Sequence, residues 1–489
     1  MMQAHLGSRW RGLWCKRCKL CLHTLGVLIA WGLGGMVLGA LSWGDLGQFF
    51  LLPVLAMGYG WAQNKTRRAA WVFGYFLGGS WTLFGVFNAF WPVASPWLGL
   101  LMWPAVAVLL VLPWWLIGAV GKDTPWVIGL RFLLSLCITA LPPLGAWSLL
   151  SPLFVAGVLF PGAGIMGLLL AALLLALWSV YFAAVRVNRE GILAALPGRR
   201  DGTRVTPSVT HRVTLVTHRV THVTPHVTPV TRRVSGGLLL VLVFTTLIMN
   251  IFYSGRPQPD AQIVGVNLPW KALPRNVSFW RNVARQRRVT ITAMQEIKRL
   301  PEHRVLLLPE GIAGFYFPNW LSNVWTARLQ AAAVARQDVV LVGAYDITQG
   351  DIIPGSHGTH NDSWHYLDAL NAYGNHRGVY ASRQPVPLGE WKPWQNGSAR
   401  AFWWRTGPDY LGRMPFAMSV CYSQLLVWPT ASYFLTTGLA PKVILAPENH
   451  DWEVTPAENH IQHVALQAWA RLYGVPVVTA NDTAFGKGE

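Results

Sequence analysis

Leu-Leu-Leu-Pro-Glu-Gly, residues 306 to 311, and farther on Val-Cys-Tyr-Ser-Gln, residues 420 to 424, are the two stretches whose reading decides the fold. An apolar strand that ends in a carboxylate, and a second apolar run that ends in a lone thiol, are what a Glu/Cys acyl-transfer site needs. A thiol is a strong nucleophile only as the thiolate, so Cys421 requires a base beside it, and Glu310 is the candidate. Taken alone, Cys421 reads as a small buried hydrophobe at a strand end, since free cysteine is among the most buried residue types. Glu310 and a second carboxylate, Glu390, read alone as solvated strand-end and turn residues.

Working outward, the chain around these motifs alternates between strand and helix patterns. Strands are predicted at Ile263 to Leu268, Arg304 to Leu308, Val339 to Tyr345, Phe416 to Val420, Lys442 to Ala446 and Pro476 to Thr479. Helices are predicted at Phe279 to Leu300, Thr326 to Arg336 and Glu458 to Tyr473. The alternation argues for an α/β unit over residues 255–489.

The half before residue 253 has a different character. With 489 residues, 52% hydrophobic content and 27 Trp, the chain is too apolar for one soluble domain. Apolar runs near 25–43, 71–91, 98–120, 126–147, 164–185 and 237–253 match the roughly 30 Å of hydrocarbon in a bilayer. A shorter run at 46–62 brings the expectation to a helical membrane bundle of about seven spans. Basic residues fix its orientation, because cytoplasmic loops retain them. Arg9, Arg11, Lys16, Arg17 and Lys19 put the N-terminus inside, and Lys65, Arg67, Arg68, Lys122, Arg186, Arg189, Arg199 and Arg200 mark the later inner loops. Residues 255–489 are then expected on the outer side. The stretch Leu149 to Gly164, broken by Pro152, Gly157, Pro161 and Gly162, reads either as a segment lining a lipid-facing entrance or as a plain outer connection. Residues 204–234 repeat Val-Thr units with His211, His218, His222 and His226, and are expected as a basic, flexible cytoplasmic insert.

Composition excludes other classes. The net charge of +19 sits beside apolar spans as a topology signal, so no direct nucleic-acid partner is expected. Cysteines at 15, 18, 21, 137 and 421 cannot form a disulfide framework, which leaves Cys421 a free thiol. The Cys15, Cys18, Cys21 spacing is half of a zinc pattern without a second half, so neither metal nor cofactor is expected. No cleavable signal peptide is evident, and the spans carry almost none of the internal acids and bases of an ion pathway.

Leu308-Pro-Glu310, Val-Pro-Leu-Gly-Glu-Trp at 386–391 and Val420-Cys-Tyr422, followed by Asn449, Asp451 and Trp452, together resemble the nitrilase (carbon-nitrogen hydrolase) superfamily. With the polytopic first half the chain looks like its membrane branch, the apolipoprotein N-acyltransferases and the TraB proteins of plasmid conjugal transfer. The resemblance implies a four-layer αββα sandwich. Glu310 would be general base, Cys421 nucleophile and thioester carrier, and Glu390 the second carboxylate that orients nucleophile and amine. It also implies a bacterial inner-membrane location with the sandwich in the periplasm, membrane lipid as one partner, and a lipoprotein or a conjugation-apparatus protein as another.

The chain departs from the pattern in three places. The family's Lys slot, eight residues before Glu390, is Ser382; Arg383 lies on the opposite strand face and Lys392 is the nearest lysine. Ser423 stands where the acyltransferases carry Glu. The chain ends at Phe485-Gly-Lys-Gly-Glu489, before the family's last strands and closing span, which implies early closure or a truncated product. The first two departures favour a TraB-type protein over a lipoprotein N-acyltransferase. A catalytically silent binding scaffold is the reading from another class.

Overall fold

The computed structural model describes residues 2–90, 97–119, 123–195, 207–255, 262–270, 278–316, 320–347, 365–450 and 456–482. Lys122, Arg199, Arg200, Asp451, Trp452 and the tail beyond Asp482 lie outside the described residues. The first half is helical: α1 (Met2–Leu41), α2 (Leu52–Trp61), α3 (Lys65–Gly79), α4 (Leu83–Phe90), α5 (Trp97–Ile117), α6 (Pro125–Ala140), α7 (Ala156–Leu159), α8 (Gly164–Ala195) and α9 (Pro207–Phe252).

Among the described residues four helical segments are long and apolar enough to cross a membrane, where the sequence predicts about seven spans. They are Cys21–Leu41, Trp97–Ile117, Gly164–Glu190 and Val230–Phe252. The other three runs are shortened for local reasons. The run at 71–91 divides into α3 and α4 at Ser80, whose hydroxyl turns back onto the Phe76 carbonyl. The run at 126–147 stops at Ala140, ahead of the Pro142-Pro143 pair that cannot continue a helix. The run at 46–62 opens as a 3-10 turn capped by the Asp45 carboxylate, which accepts the Gly47 N–H. The Val-Thr stretch differs from its expectation as well: from Pro207 onward it forms the start of α9, continuous with the last apolar segment.

Close backbone approach ties the bundle together. Gly35 and Gly39 of α1 lie against the Trp71 and Tyr75 carbonyls of α3, and Gly74 and Gly78 of α3 against the Gly32 and Met36 carbonyls of α1, so tightly that a Cβ at any of these positions would fall within 2.1 Å of the neighbouring backbone. Arg68 and Arg186, read from sequence as loop charges, are buried. Arg68 pairs at 3.1 Å with Asp123, which also pairs with Arg131, and Arg186 donates to the Ala62 carbonyl at 2.6 Å.

The second half carries two sheets. The larger holds β1 (Ile263–Gly265), β2 (Val305–Leu307), β3 (Phe315–Tyr316), β4 (Val339–Ile347), β5 (His365–Gly374), β6 (Gly378–Ala381) and β7 (Ser398–Ala399). Its order is β1-β2-β4-β5-β6, with β3 on β4 and β7 on β5. The smaller runs β11-β10-β9-β8, from β8 (Asp409–Leu411), β9 (Met414–Met418), β10 (Ile444–Glu448) and β11 (Val477–Asn481). Helices α10 (Phe279–Arg299), α11 (Trp320–Ala335), α12 (Val427–Phe434) and α13 (Pro456–Tyr473) flank them.

Strand alternation assigns the faces. Val340, Val342 and Ala344 of β4 pack with Ala293 and Ile297 of α10 and Ala333 of α11. Leu341 points the other way and joins Leu307 and Leu370 in a core shared with Phe416, Ala417, Ile444 and Ala446 of the smaller sheet. The two sheets therefore face each other, and Tyr380 of β6 meets Phe416 of β9 edge-on at 5.0 Å. Val464, Ala465 and Trp469 of α13 continue the same core.

The two halves are joined where α7 meets α13. Phe154 packs on Trp469 at 4.6 Å, Arg471 donates to the Gly157 carbonyl and the Asn250 side chain at 3.1 Å each, and the Gly162 N–H donates to the Arg471 carbonyl at 2.7 Å. The segment from Leu149 to Phe160 is buried in this joint. A Cβ at Gly157 would lie 2.2 Å from the Ala468 carbonyl oxygen. Gly157→Ala is expected to lower stability by about 1–3 kcal/mol through overpacking. Gly237→Ala, where a Cβ meets nothing within 4 Å, should not lower it. Thermal unfolding of both variants in detergent measures the difference.

Candidate active site

Five strand ends converge between the sheets. β2 runs out at Leu307, and Leu308-Pro309 carries Glu310 into the interface, where it is 4% exposed. Asp368 of β5 and Ser382, just past β6, face each other across the pair: Ala369 is in register with Ala381, and the Ser382 N–H donates to the Asp368 carbonyl at 2.7 Å. Both are buried on the face that carries Leu370 and Tyr380 toward the second sheet. Glu390 is held in a tight turn, its N–H on the Val386 carbonyl at 2.7 Å and its Oε2 accepting the Val386 N–H at 3.1 Å.

From the smaller sheet, β9 delivers Cys421, buried at 2% exposure at the start of a 3-10 turn. Its φ of +34° is a left-handed value for a residue with a side chain, a strain of about 1–3 kcal/mol that surrounding contacts must hold. The Sγ lies 3.6 Å from the Asn449 carbonyl and receives the Gln462 amide at 3.6 Å. The Cys421 thiol also lies beside the Glu310 carboxyl, close enough to favour its charged form. Glu448 and His450 form a buried pair at 3.1 Å, and the His450 N–H donates to Asp482 at 2.6 Å.

Carboxylate oxygens of Glu310, Asp368 and Glu390 all lie within 4.8 Å of one another. Burial, and then the negative charge of Asp368, Glu390 and Asp482, push the Glu310 carboxyl well above its ordinary value of 4.5, against a smaller lowering from the neighbouring Cys421 thiol. The structure thus brings together the three residues that the sequence singled out, Glu310, Glu390 and Cys421. Ser382 is in the same interface with its hydroxyl unpartnered. Arg383 faces away, its guanidinium 3.3 Å from the Tyr433 ring centroid and donating to Ser432 and Gly407. Lys392 is partly exposed, and its backbone N–H donates to Ser398 at 2.7 Å.

Sequence reading missed Asp368, Asp482 and Gln462. Asp368 had a signal, an acid among the alternating apolar residues of β5; Asp482 and Gln462 reach the site only through packing of β11 and α13. It also missed a cavity of about 90 Å³, partly open to solvent, between the helical half and the loops that carry Glu390 and Cys421. Gly79, Leu83, Val86 and Leu150 line it from the helical side, and Pro387, Tyr422 and Leu425 from the loops that carry Glu390 and Cys421. Tyr422 donates its hydroxyl to the Ala146 carbonyl at 2.8 Å, so the residue beside the thiol is tied to the helical half.

The raised Glu310 value fixes a pH dependence. Above the ordinary value the unfolded chain releases this proton while the folded chain retains it, so stability falls as pH rises toward the folded value. In EDTA, wild-type protein is expected to lose thermal stability as pH rises above the ordinary carboxyl value of 4.5, and Glu310→Gln to flatten that loss. Unfolding scans across this range give the comparison.

No family model matches the chain. It is 27% identical over 498 residues to the conjugal transfer protein TraB of Agrobacterium fabrum (strain C58), covering 97% of each chain. It is 26% identical over 464 residues to the probable conjugal transfer protein TraB of Sinorhizobium fredii (strain NGR234), covering 92% of this chain and 97% of that protein. In both comparisons the similarity runs nearly end to end.

Proposed function

We propose that this is a TraB-type membrane protein of plasmid conjugal transfer whose C-terminal half is a nitrilase-like acyl-transfer domain on the periplasmic side of the inner membrane. The observation that carries the reading is the buried Glu310 carboxyl beside the Cys421 thiol, with Tyr422, the residue after the thiol, lining an apolar cavity shared with the helical half. The full-length similarity to proteins named for conjugal transfer supports the biological role. The stacking of α10 and α11, two facing sheets, and α12 and α13 supports a four-layer sandwich of nitrilase type. On this reading all seven apolar runs cross or enter the bilayer, so the N-terminus is cytoplasmic and the sandwich lies on the other side.

The chemistry follows from the placement. Glu310 takes the proton from the Cys421 Sγ, and the thiolate attacks an ester carbonyl of a membrane lipid whose chain occupies the cavity. The carbonyl π pair moves onto oxygen. Collapse of this intermediate expels the alcohol, which takes the proton from Glu310, and leaves a thioester on Cys421. An amine or water then attacks the thioester, losing its proton to Glu310, and the thiol is released. Glu390, fixed by its turn, orients the incoming nucleophile. Ser382 offers the oxyanion a neutral hydroxyl where a lysine would offer an ammonium, and one lost oxyanion donor costs about 3–4 kcal/mol. A slow enzyme is the consequence.

The lipoprotein N-acyltransferase reading shares the first half-reaction, and the apolar cavity favours it equally. The two part at the acceptor. Cys421→Ala and Glu310→Gln are expected to reduce plasmid transfer between cells by at least about tenfold while membrane levels of the protein stay unchanged. Transfer at the wild-type rate from both variants would leave the silent scaffold as the reading.

A further inference from the structure

Three carboxylates sit in an interface from which water is largely excluded, and the charged groups that act on Glu310 are all acidic. Such a cluster is costly unless something neutralises it. The sequence expects a lysine beside these acids in its family and finds Ser382 instead. Two further observations point to what stands there. The Ser382 hydroxyl is 2% exposed, has no hydrogen-bond partner, and lies on the same sheet face as Asp368 by strand register. The Glu310 Oε2 is buried and equally unpartnered.

We propose that Glu310, Asp368 and Glu390, with the Ser382 hydroxyl, bind one hard divalent cation of the Mg²⁺ or Ca²⁺ kind between the two sheets. The donor set is oxygen only, which selects these ions over zinc or copper. The separations fit a single ion: oxygens that all lie within 4.8 Å of one another can share a centre at metal–oxygen distances of about 2.0–2.6 Å. The Cys421 sulfur stays with Glu310, Asn449 and Gln462 and is not a ligand. A +2 ion leaves the cluster close to neutral and supplies the positive charge that the missing ammonium would have given. The inference stands on the cluster and the orphaned hydroxyl, and metal binding by a protein with a silent thiol would leave it intact while the acyl-transfer reading fell.

The test uses the full-length chain in detergent, stripped with EDTA and dialysed. Mn²⁺, whose paramagnetic signal reports binding directly, is titrated first; Ca²⁺ and Mg²⁺ are then compared by competition and by thermal unfolding, which also decides between them. The expected result is one saturable Mn²⁺ site per chain, displaced by Ca²⁺ or Mg²⁺, with a midpoint raised by several degrees on saturation. Ser382→Lys, which places a tethered ammonium on the same face, should abolish that site and the metal-dependent shift while the metal-free midpoint rises. Asp368→Asn should weaken binding at least about tenfold, and serves as the test if the lysine variant does not fold. No saturable site in the wild type, or a site retained unchanged in Asp368→Asn, overturns the proposal.

Discussion

Three carboxylates held within 4.8 Å of one another between two sheets cannot all carry charge in a medium of low polarity, and the geometry around them is arranged about that constraint. Glu310 answers it in part by retaining its proton to well above the ordinary value. Glu390 answers it by a backbone N–H from Val386, and Asp482 by one from His450. A carboxyl with a raised value is also a better match for a thiol, because a proton shared between groups of similar affinity moves at little cost. The energetic burden of burying Glu310 and its suitability as a partner for Cys421 are thus one property.

The second constraint is mechanical. Cys421 lies in a left-handed conformation between β9 and a 3-10 turn, and Tyr422, the next residue, is anchored on the Ala146 carbonyl of the helical half. Behind the turn, α13 is clamped to α7 by the Gly157 contact, the Phe154–Trp469 pair and Arg471. The thiol is consequently referenced to the apolar helices as much as to its own sheet, and the apolar cavity sits between the two.

Much of this was legible in the sequence, and the limits have physical causes. Strands β2, β4, β9, β10 and β11 appear where apolar runs bounded by Pro, Gly or charged residues predict them. β5 and β6 do not, since Asp368 and Asn371 interrupt the apolar alternation of one and the other is four residues long. Asp368 joins the cluster only because β5 pairs with β6 in one register and faces the second sheet, which is long-range information. Helix length failed for local reasons as well: Ser80 and the Pro142-Pro143 pair end helices inside apolar runs that hydropathy alone reads as continuous. Orientation of Arg383 was recoverable from strand alternation, whereas the cavity, built from both halves, was not.

The account turns on Cys421 carrying an acyl group. Intact-protein and peptide mass spectrometry of wild-type chain purified from membranes tests this directly. A lipid-derived acyl mass on the peptide holding residue 421, removed by neutral hydroxylamine and missing from Glu310→Gln, is the predicted result. A bare thiol under all conditions, in protein that still supports plasmid transfer, contradicts it.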